Sequence, residues 1–213
     1  MEEQSQGDIY EQDPWWQPQS ALFLLRTAIN PARIAYFQAL LPDRPGATAL
    51  DVGCGGGFLC EEIAAMGFKT TGIDPSRGSL RIAGEHARKK GLAIDYQQGA
   101  GENLPFPDGS FDAAFCCDVL EHVHDQPRVI AEIARVLRPG GIFCYDTLNR
   151  TLISWLVVIG ILQKWKRWAV MPPELHTWTK FIKPEELKML LETNHLAGGN
   201  TGASSRSPHQ SKP

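Results

Sequence analysis

From Ala47 to Leu148 short apolar runs alternate with stretches in which apolar side chains recur at helical spacing. The runs "ATALDV", "KTTGID", "AIDYQQ", "SFDAAFCCDV" and "GIFCYDTL" read as strands, and residues 57–66, 77–90 and 125–137 read as the helices between them. Such alternation predicts an α/β fold, a doubly wound parallel sheet with crossover helices on both faces. Residues 47–150 form this core. Before it, residues 14–46 make a helical, aromatic-rich prelude punctuated by prolines, and residues 1–13 are polar and acidic, expected to be disordered. After it, residues 151–197 hold a lid or interfacial insertion and the helix "PEELKMLLETNHL". The final segment, 198–213, is rich in Gly, Ser and Pro and is expected to be a disordered tail.

Ligand chemistry concentrates in "ALDVGCGGGFLCEEIAAMG", where a strand ending in Asp51 breaks into four glycines within five residues. In an open parallel sheet, ligands gather at the carboxyl ends of the strands beside the switch point, where a first strand and its glycine loop sit. Gly53, Gly55, Gly56 and Gly57 free the backbone to take positive φ and to approach a ligand, and the helix opening at Phe58 offers free N–H groups. A dinucleotide fingerprint needs a glycine where Phe58 stands, and a phosphate-binding P-loop needs a lysine that does not occur before Lys69. A second acid, Asp74, ends the next strand, placed to accept hydrogen bonds from ribose hydroxyls, while Asp51 can hold a cationic amino group. The two acids together point to S-adenosyl-L-methionine.

Composition narrows the partners. A formal charge of -3 gives no basic footprint for nucleic acid. Five cysteines without metal-ligand spacing read as reduced thiols of a cytoplasmic protein. The first thirteen residues carry five acids and no Lys or Arg, the wrong charge for a targeting segment.

The later segments "GAGENLPFPDGSFDAAFCCDVLEHV" and "ARVLRPGGIFCYDTLNR", with the glycine loop, resemble the class I S-adenosylmethionine-dependent methyltransferases, which are Rossmann-like. Outside the core, "WWQPQSALFLLRTAINPARIAYF", "LNRTLISW" and "HTWTKFIKPEEL" resemble the ubiquinone biosynthesis O-methyltransferases, which methylate catechol-type hydroxyls on polyprenylated rings. The resemblance implies a transferase acting on a small hydrophobic, polyprenylated phenolic substrate. It implies cofactor contacts at Arg33, Gly53, Asp74 and Cys117, the residue before the acid in "CCDVLEH". Many relatives carry an acid where this chain has Ala100, so backbone groups of Gly101 and Glu102 are expected to meet the adenine instead. Asp118 stands where the family usually has Glu. A full class I sheet ends in an antiparallel strand hairpin, but the tail offers no strand pattern. The expectation is therefore five parallel strands lacking that hairpin, with an exposed edge that calls for a lid, a homodimer or a place in a quinone-biosynthesis complex.

Methyl transfer to a phenolic oxygen needs alignment and removal of one proton, because a phenol titrates near pH ~10. "DVLEHV" follows the fourth strand and puts Asp118, Glu121 and His122 beside the acceptor. Two readings stand. His122, with Glu121, acts as the catalytic base; or Asp118, Glu121 and His122 hold a divalent cation, Mg2+ rather than zinc, that lowers the acceptor's pKa, as the resemblance implies for some members. A methyltransferase for another small hydrophobic acceptor and a non-catalytic assembly subunit are the alternatives.

Residues 152–171, "LISWLVVIGILQKWKRWAVM", contain an apolar run that stops at Leu162, too short for the ~20 residues a span needs. Trp155, Trp165 and Trp168 interleaved with Lys164, Lys166 and Arg167 suit a segment lying in the headgroup plane, which predicts a protein peripheral to a membrane surface.

Overall fold

A computed structural model describes residues 14–20, 22–41, 46–151, 154, 178–198 and 203–206 of the chain. The alternation in the sequence is realised as a sheet of strands β1 (Thr48–Val52), β2 (Lys69–Asp74), β3 (Ile94–Gln98), β4 (Phe111–Cys117), β5 (Leu137–Asp146), β6 (Leu196–Gly198) and β7 (Ala203–Arg206). Their spatial order is β3-β2-β1-β4-β5-β7-β6. The first five are parallel, with β1 between β2 and β4, so the switch point lies at the carboxyl end of β1. Helices α1 (Asn30–Gln38), α2 (Phe58–Ala65), α3 (Arg77–Lys89), α4 (Gln126–Val136) and α5 (Pro184–Thr193) cover the faces.

Strand periodicity sorts the core into two layers, because successive side chains point to opposite faces. Leu50, Val52, Ala114 and Cys116 pack with Val129, Ile130 and Ile133 of α4 and with Leu187 and Leu191 of α5. Ala49, Ala113 and Phe115 face the other way, onto Leu59 and Ile63 of α2 and Ile34 and Phe37 of α1. Each large apolar side chain so buried contributes about 1.5–3 kcal/mol. The prelude is therefore part of the core, and its helix is fixed to the sheet through Ile34 and Phe37. A π-helical turn, Leu25–Ile29, leads into α1.

Local signals explain the helix starts. The Ser76 side chain accepts from Ser79 N–H at the head of α3, and Asp125 from Arg128 N–H at the head of α4. Pro184 opens α5, where its missing N–H costs nothing, and the Glu186 carboxylate accepts from Lys183 N–H at 3.2 Å.

The sheet corrects one expectation. The missing hairpin is present: β7 pairs antiparallel with β5 through Ile142↔Ser205 to Cys144↔Ala203, and with β6 through Leu196↔Arg206 to Gly198↔Ser204. Ala203–Arg206 lies inside the stretch read as a disordered tail. A strand of Ala, Ser, Ser and Arg has no apolar alternation to announce it, and its place is set by the open hydrogen-bonding edge of β5. With that edge paired, the reason for seeking a homodimer or a complex there lapses. Among the described residues no helix is long and apolar enough to cross a membrane. The interfacial segment's tryptophans and cations, Trp155 to Trp168, lie outside the described residues.

Candidate active site

Four loops meet at the carboxyl edge of β1, β2, β4 and β5. After β1 the chain turns through Gly53, Gly55 and Gly57, at φ of +74°, +50° and +84°, a conformation that a Cβ disfavours. Gly53 and Cys54 both donate to the Ile73 carbonyl, at 2.8 and 3.1 Å, which ties the loop to the end of β2. Asp74 completes the tie: Oδ2 accepts Gly55 N–H at 2.9 Å and Oδ1 accepts Ser76 N–H at 2.8 Å. Each carboxylate oxygen keeps a lone pair for a further donor. Burial raises the Asp74 pKa, and these two backbone donors work against that.

The glycines are bare for a second reason that the sequence did not announce. A Cβ on Gly53 would lie 2.4 Å from Val119, one on Gly55 2.3 Å from the Trp15 ring, one on Gly56 2.4 Å from the same ring, and one on Gly57 2.4 Å from the Tyr96 hydroxyl. The Cβ side of the loop is thus filled by protein.

Asp51 lies beneath the loop, 2% exposed, with its Oδ2 accepting the Cys60 thiol at 3.2 Å. Burial pushes its carboxyl up to about 7, opposed by the Cys60 bond and the charge of Arg33. Gly101 and Glu102 follow β3. Gly101 packs against Val52 and Val129, while Glu102 accepts His124 N–H through its side chain and the Arg128 guanidinium through its carbonyl, each at 3.1 Å.

Arg33 and the end of β4 come together. From α1 the guanidinium donates through Nη2 to Asp118 at 2.6 Å, through Nε to Asp146 at 2.5 Å and through Nη1 to Asn30 at 2.9 Å. Asp146 in turn accepts Asp118 N–H at 3.0 Å, which steadies Asp118 at its left-handed φ of +56°. Burial works against the charge of Arg33, but the acids around it hold its pKa above the usual value. Cys117, paired in register with Asp146, has its thiol pushed well up by burial and stays protonated.

The acceptor side is built on Glu121. Only 1% exposed, it accepts Thr147 O–H at 2.8 Å, and burial, then the nearby Asp118 charge, raises its carboxyl to about 7. His122 is half-buried, and its backbone closes a turn onto Val119 at 2.8 Å. The returning segment locks in place here: Lys180 Nζ donates to the His122 carbonyl at 3.3 Å, and Gln126 donates to the carbonyls of Leu120 and Lys180 at 2.8 and 2.6 Å.

The metal expectation meets a different arrangement. Among the described residues no three His, Cys, Asp or Glu side chains are grouped to share an ion. Asp118 is committed to Arg33 and Glu121 to Thr147, so Asp118, Glu121 and His122 do not converge as a ligand set for Mg2+. A cavity of about 800 Å³ opens far from this edge, at the amino ends of β2 and β3 beside Lys69 and Ile94. Sequence reasoning did not assign Asp146, Thr147, Trp15 or Trp16. An acid and a hydroxyl closing an apolar strand, in "CYDTL", were the available signal for the first two.

The chain is similar to known proteins along most of its length. A methyltransferase domain family matches residues 50–145. The chain is 37% identical over 193 residues to a ubiquinone biosynthesis O-methyltransferase of Bartonella bacilliformis, covering 85% of this chain and 77% of that protein. It is 39% identical over 195 residues to the protein of the same description from Caulobacter vibrioides, covering 86% and 76%. In fold it is similar to magnesium protoporphyrin IX methyltransferase of Synechocystis, solved with bound SAH, at a TM-score of 0.68 and 20% identity over 88% of this chain and 86% of that one.

Proposed function

The chain belongs to the ubiquinone biosynthesis O-methyltransferases, a family of S-adenosylmethionine-dependent enzymes, and from that premise we propose that it methylates a catechol-type hydroxyl on a polyprenylated aromatic ring. The reaction is an in-line displacement. A lone pair of the acceptor oxygen forms a bond to the methyl carbon, the carbon–sulfur bond breaks with its electrons staying on sulfur, and S-adenosylhomocysteine leaves. The phenolic proton must go to a base.

One observation carries the reading: two carboxylates of opposite use stand at one sheet edge. Asp74 is fixed by Gly55 and Ser76 N–H groups with lone pairs left for ribose hydroxyls. Glu121 is held by Thr147 and raised to about 7, close to the neutral pH at which a general base works best. We assign cofactor contact to Asp74, Gly53, Gly55, Arg33, Cys117 and the Gly101–Glu102 backbone, and proton removal to Glu121 with His122 beside it. Asp51 serves the amino group of the cofactor from beneath the loop. Alignment of oxygen, methyl and sulfur supplies most of the acceleration, on the order of 7–11 kcal/mol when well held. No step here runs through a metal ion.

The polyprenyl tail of such an acceptor resides in a bilayer. The tryptophans and cations of 152–171 support a protein that works at the membrane surface, tested by cosedimentation with anionic liposomes at low and high salt. The decisive experiment for the reaction is transfer of labelled methyl from S-adenosylmethionine to a panel of prenylated catechols, with and without chelator. Product with chelator present supports the carboxylate base; product only with added Mg2+ restores the cation reading. Binding of S-adenosylhomocysteine without transfer to any member would leave a methyltransferase for another small hydrophobic acceptor or an assembly subunit.

A further inference from the structure

The stretch just before the first helical turn lies on the glycine loop. Trp15 is buried, 6% exposed, with its ring against the backbone of Gly55 and Gly56. Trp16 donates its indole N–H to the Gly56 carbonyl at 2.9 Å. Both rings meet Phe58 edge-on, at centroid distances of 5.3 and 4.7 Å, where α2 begins.

The pair is anchored from outside the loop. The Trp16 ring stacks on His86 of α3, 3.5 Å apart and within 6° of parallel. His86 Nδ1 lies 2.6 Å from Oε1 of buried Glu61, and Lys90 lies 3.0 Å from the other Glu61 oxygen and 5.2 Å from the Trp16 ring centre. The Arg26 guanidinium, which also bonds the Trp16 carbonyl, covers the ring at 5.8 Å.

We propose that Trp15 and Trp16 are positioning residues for the cofactor, acting through Gly55 and Gly56. This rests on the assignment of the glycine loop and Asp74 to the cofactor. The physical reason is conformational entropy. A loop with glycine at four of five positions has many alternative shapes, and ordering it on binding costs affinity unless the free protein already holds it. Trp15 holds it by occupying the space that Cβ atoms would fill, and Trp16 by satisfying a loop carbonyl. The coupling reaches Asp74, because Gly55, one of the two residues under Trp15, is the one whose N–H bonds Asp74 Oδ2. The loop shape, the acid's orientation and the tryptophans form one unit.

Gly56 makes the test specific, because its φ is not in the left-handed region and the three nearest atoms a Cβ there would meet, at 2.4–2.7 Å, all belong to Trp15. S-adenosylhomocysteine affinity is measured by calorimetry, with kcat and the cofactor KM from methyl transfer, for wild type, Trp15→Ala, Trp15→Phe, Trp16→Phe, Gly56→Ala and the Gly56→Ala/Trp15→Ala double variant. Trp15→Ala should raise Kd and KM together by about tenfold with kcat at saturating cofactor little changed, and Trp15→Phe should recover most of the loss. Gly56→Ala should weaken binding comparably in the wild-type background and add almost nothing in the Trp15→Ala background, a non-additivity expected only if ring and Cβ contend for one space. Should Trp15→Ala fail to fold, Trp16→Phe decides alone: it keeps the face on His86 and removes the bond to Gly56, and should raise Kd severalfold at unchanged thermal midpoint. Unchanged affinity in the folded variants, or full additivity of Gly56→Ala and Trp15→Ala, overturns the inference. Failure of the wild-type protein to bind S-adenosylhomocysteine would instead overturn the cofactor assignment beneath it.

Discussion

Arg33 and Asp118, 85 residues apart in the chain, meet at 2.6 Å from Nη2 to Oδ2, and the aspartate that receives the bond sits at φ +56°. One guanidinium thereby joins the prelude helix to the ends of two core strands, because Asp146 takes its Nε. Arg33 is the residue the family resemblance connects to the cofactor, so the clamp and the candidate cofactor site share a side chain.

Removing that side chain leaves two acids facing each other. Breaking a fully buried pair costs about 3–5 kcal/mol, but the side chains of Asp118 and Asp146 are 40% and 38% exposed, and solvent discounts the penalty. Arg33→Met should destabilise by about 1–3 kcal/mol in urea unfolding, and adding Asp118→Asn should return part of it. A loss confined to cofactor affinity, with the urea midpoint unmoved, would remove the clamp from the account.

Asp74 serves the loop and the ligand together. Asp74→Ala should weaken S-adenosylhomocysteine binding by about 1.5–3 kcal/mol, the range for hydrogen bonds to a charged group, and calorimetry reads it directly. Asp74→Asn, which keeps one acceptor oxygen for a backbone N–H, should lose less.

Glu121 sets a pH dependence of stability whose sign follows from burial. Its carboxyl is about 7 in the folded chain against 4.5 for the unperturbed group, so between those values the folded state holds a proton the unfolded state has released. Stability contributed by this group is therefore fully present below about pH 4.5 and lost as pH rises through about 7, on the order of 3 kcal/mol. Glu121→Gln should flatten that fall in chemical denaturation profiles. Asp51, also raised to about 7, leaves a residual slope of the same sign.

The same shift governs activity. As the base, Glu121 must be ionised, so kcat/KM should rise with pH through about 7 and the limb should vanish in Glu121→Gln. Thr147 O–H favours the ionised form by donating to it at 2.8 Å. Thr147→Val should then move the limb to higher pH with the maximum rate largely kept. A limb that stays in Glu121→Gln and disappears in His122→Ala assigns the proton to the imidazole.

β7 carries a prediction about solubility. Truncation after Gly198 removes the partner of Ile142, Phe143 and Cys144 and exposes an apolar edge. The shortened chain should aggregate at concentrations where the full chain is monodisperse by light scattering.

Local chemistry determined much of this protein within the sequence itself. Apolar runs of strand length separated by helical spacing fixed the five parallel strands and three crossover helices, because each period is a property of a few consecutive residues. The positive-φ glycines and Asp74 were legible for the same reason: a bare turn after one strand and an acid ending the next are local patterns. What tertiary structure decided depends on residues far apart in the chain. β7 exists because β5 offers it an unpaired edge, not because "ASSR" prefers a strand. Asp118 meets Arg33, 85 residues away, because α1 is docked by Ile34 and Phe37 above the end of β4. The bareness of Gly55 and Gly56 reads in the sequence as room for a ligand, whereas the fold fills the Cβ side with Trp15, a residue 40 positions upstream of Gly55. Periodicity and turn chemistry are written along the chain; which side chain fills a given space is settled only by close packing, which admits one occupant.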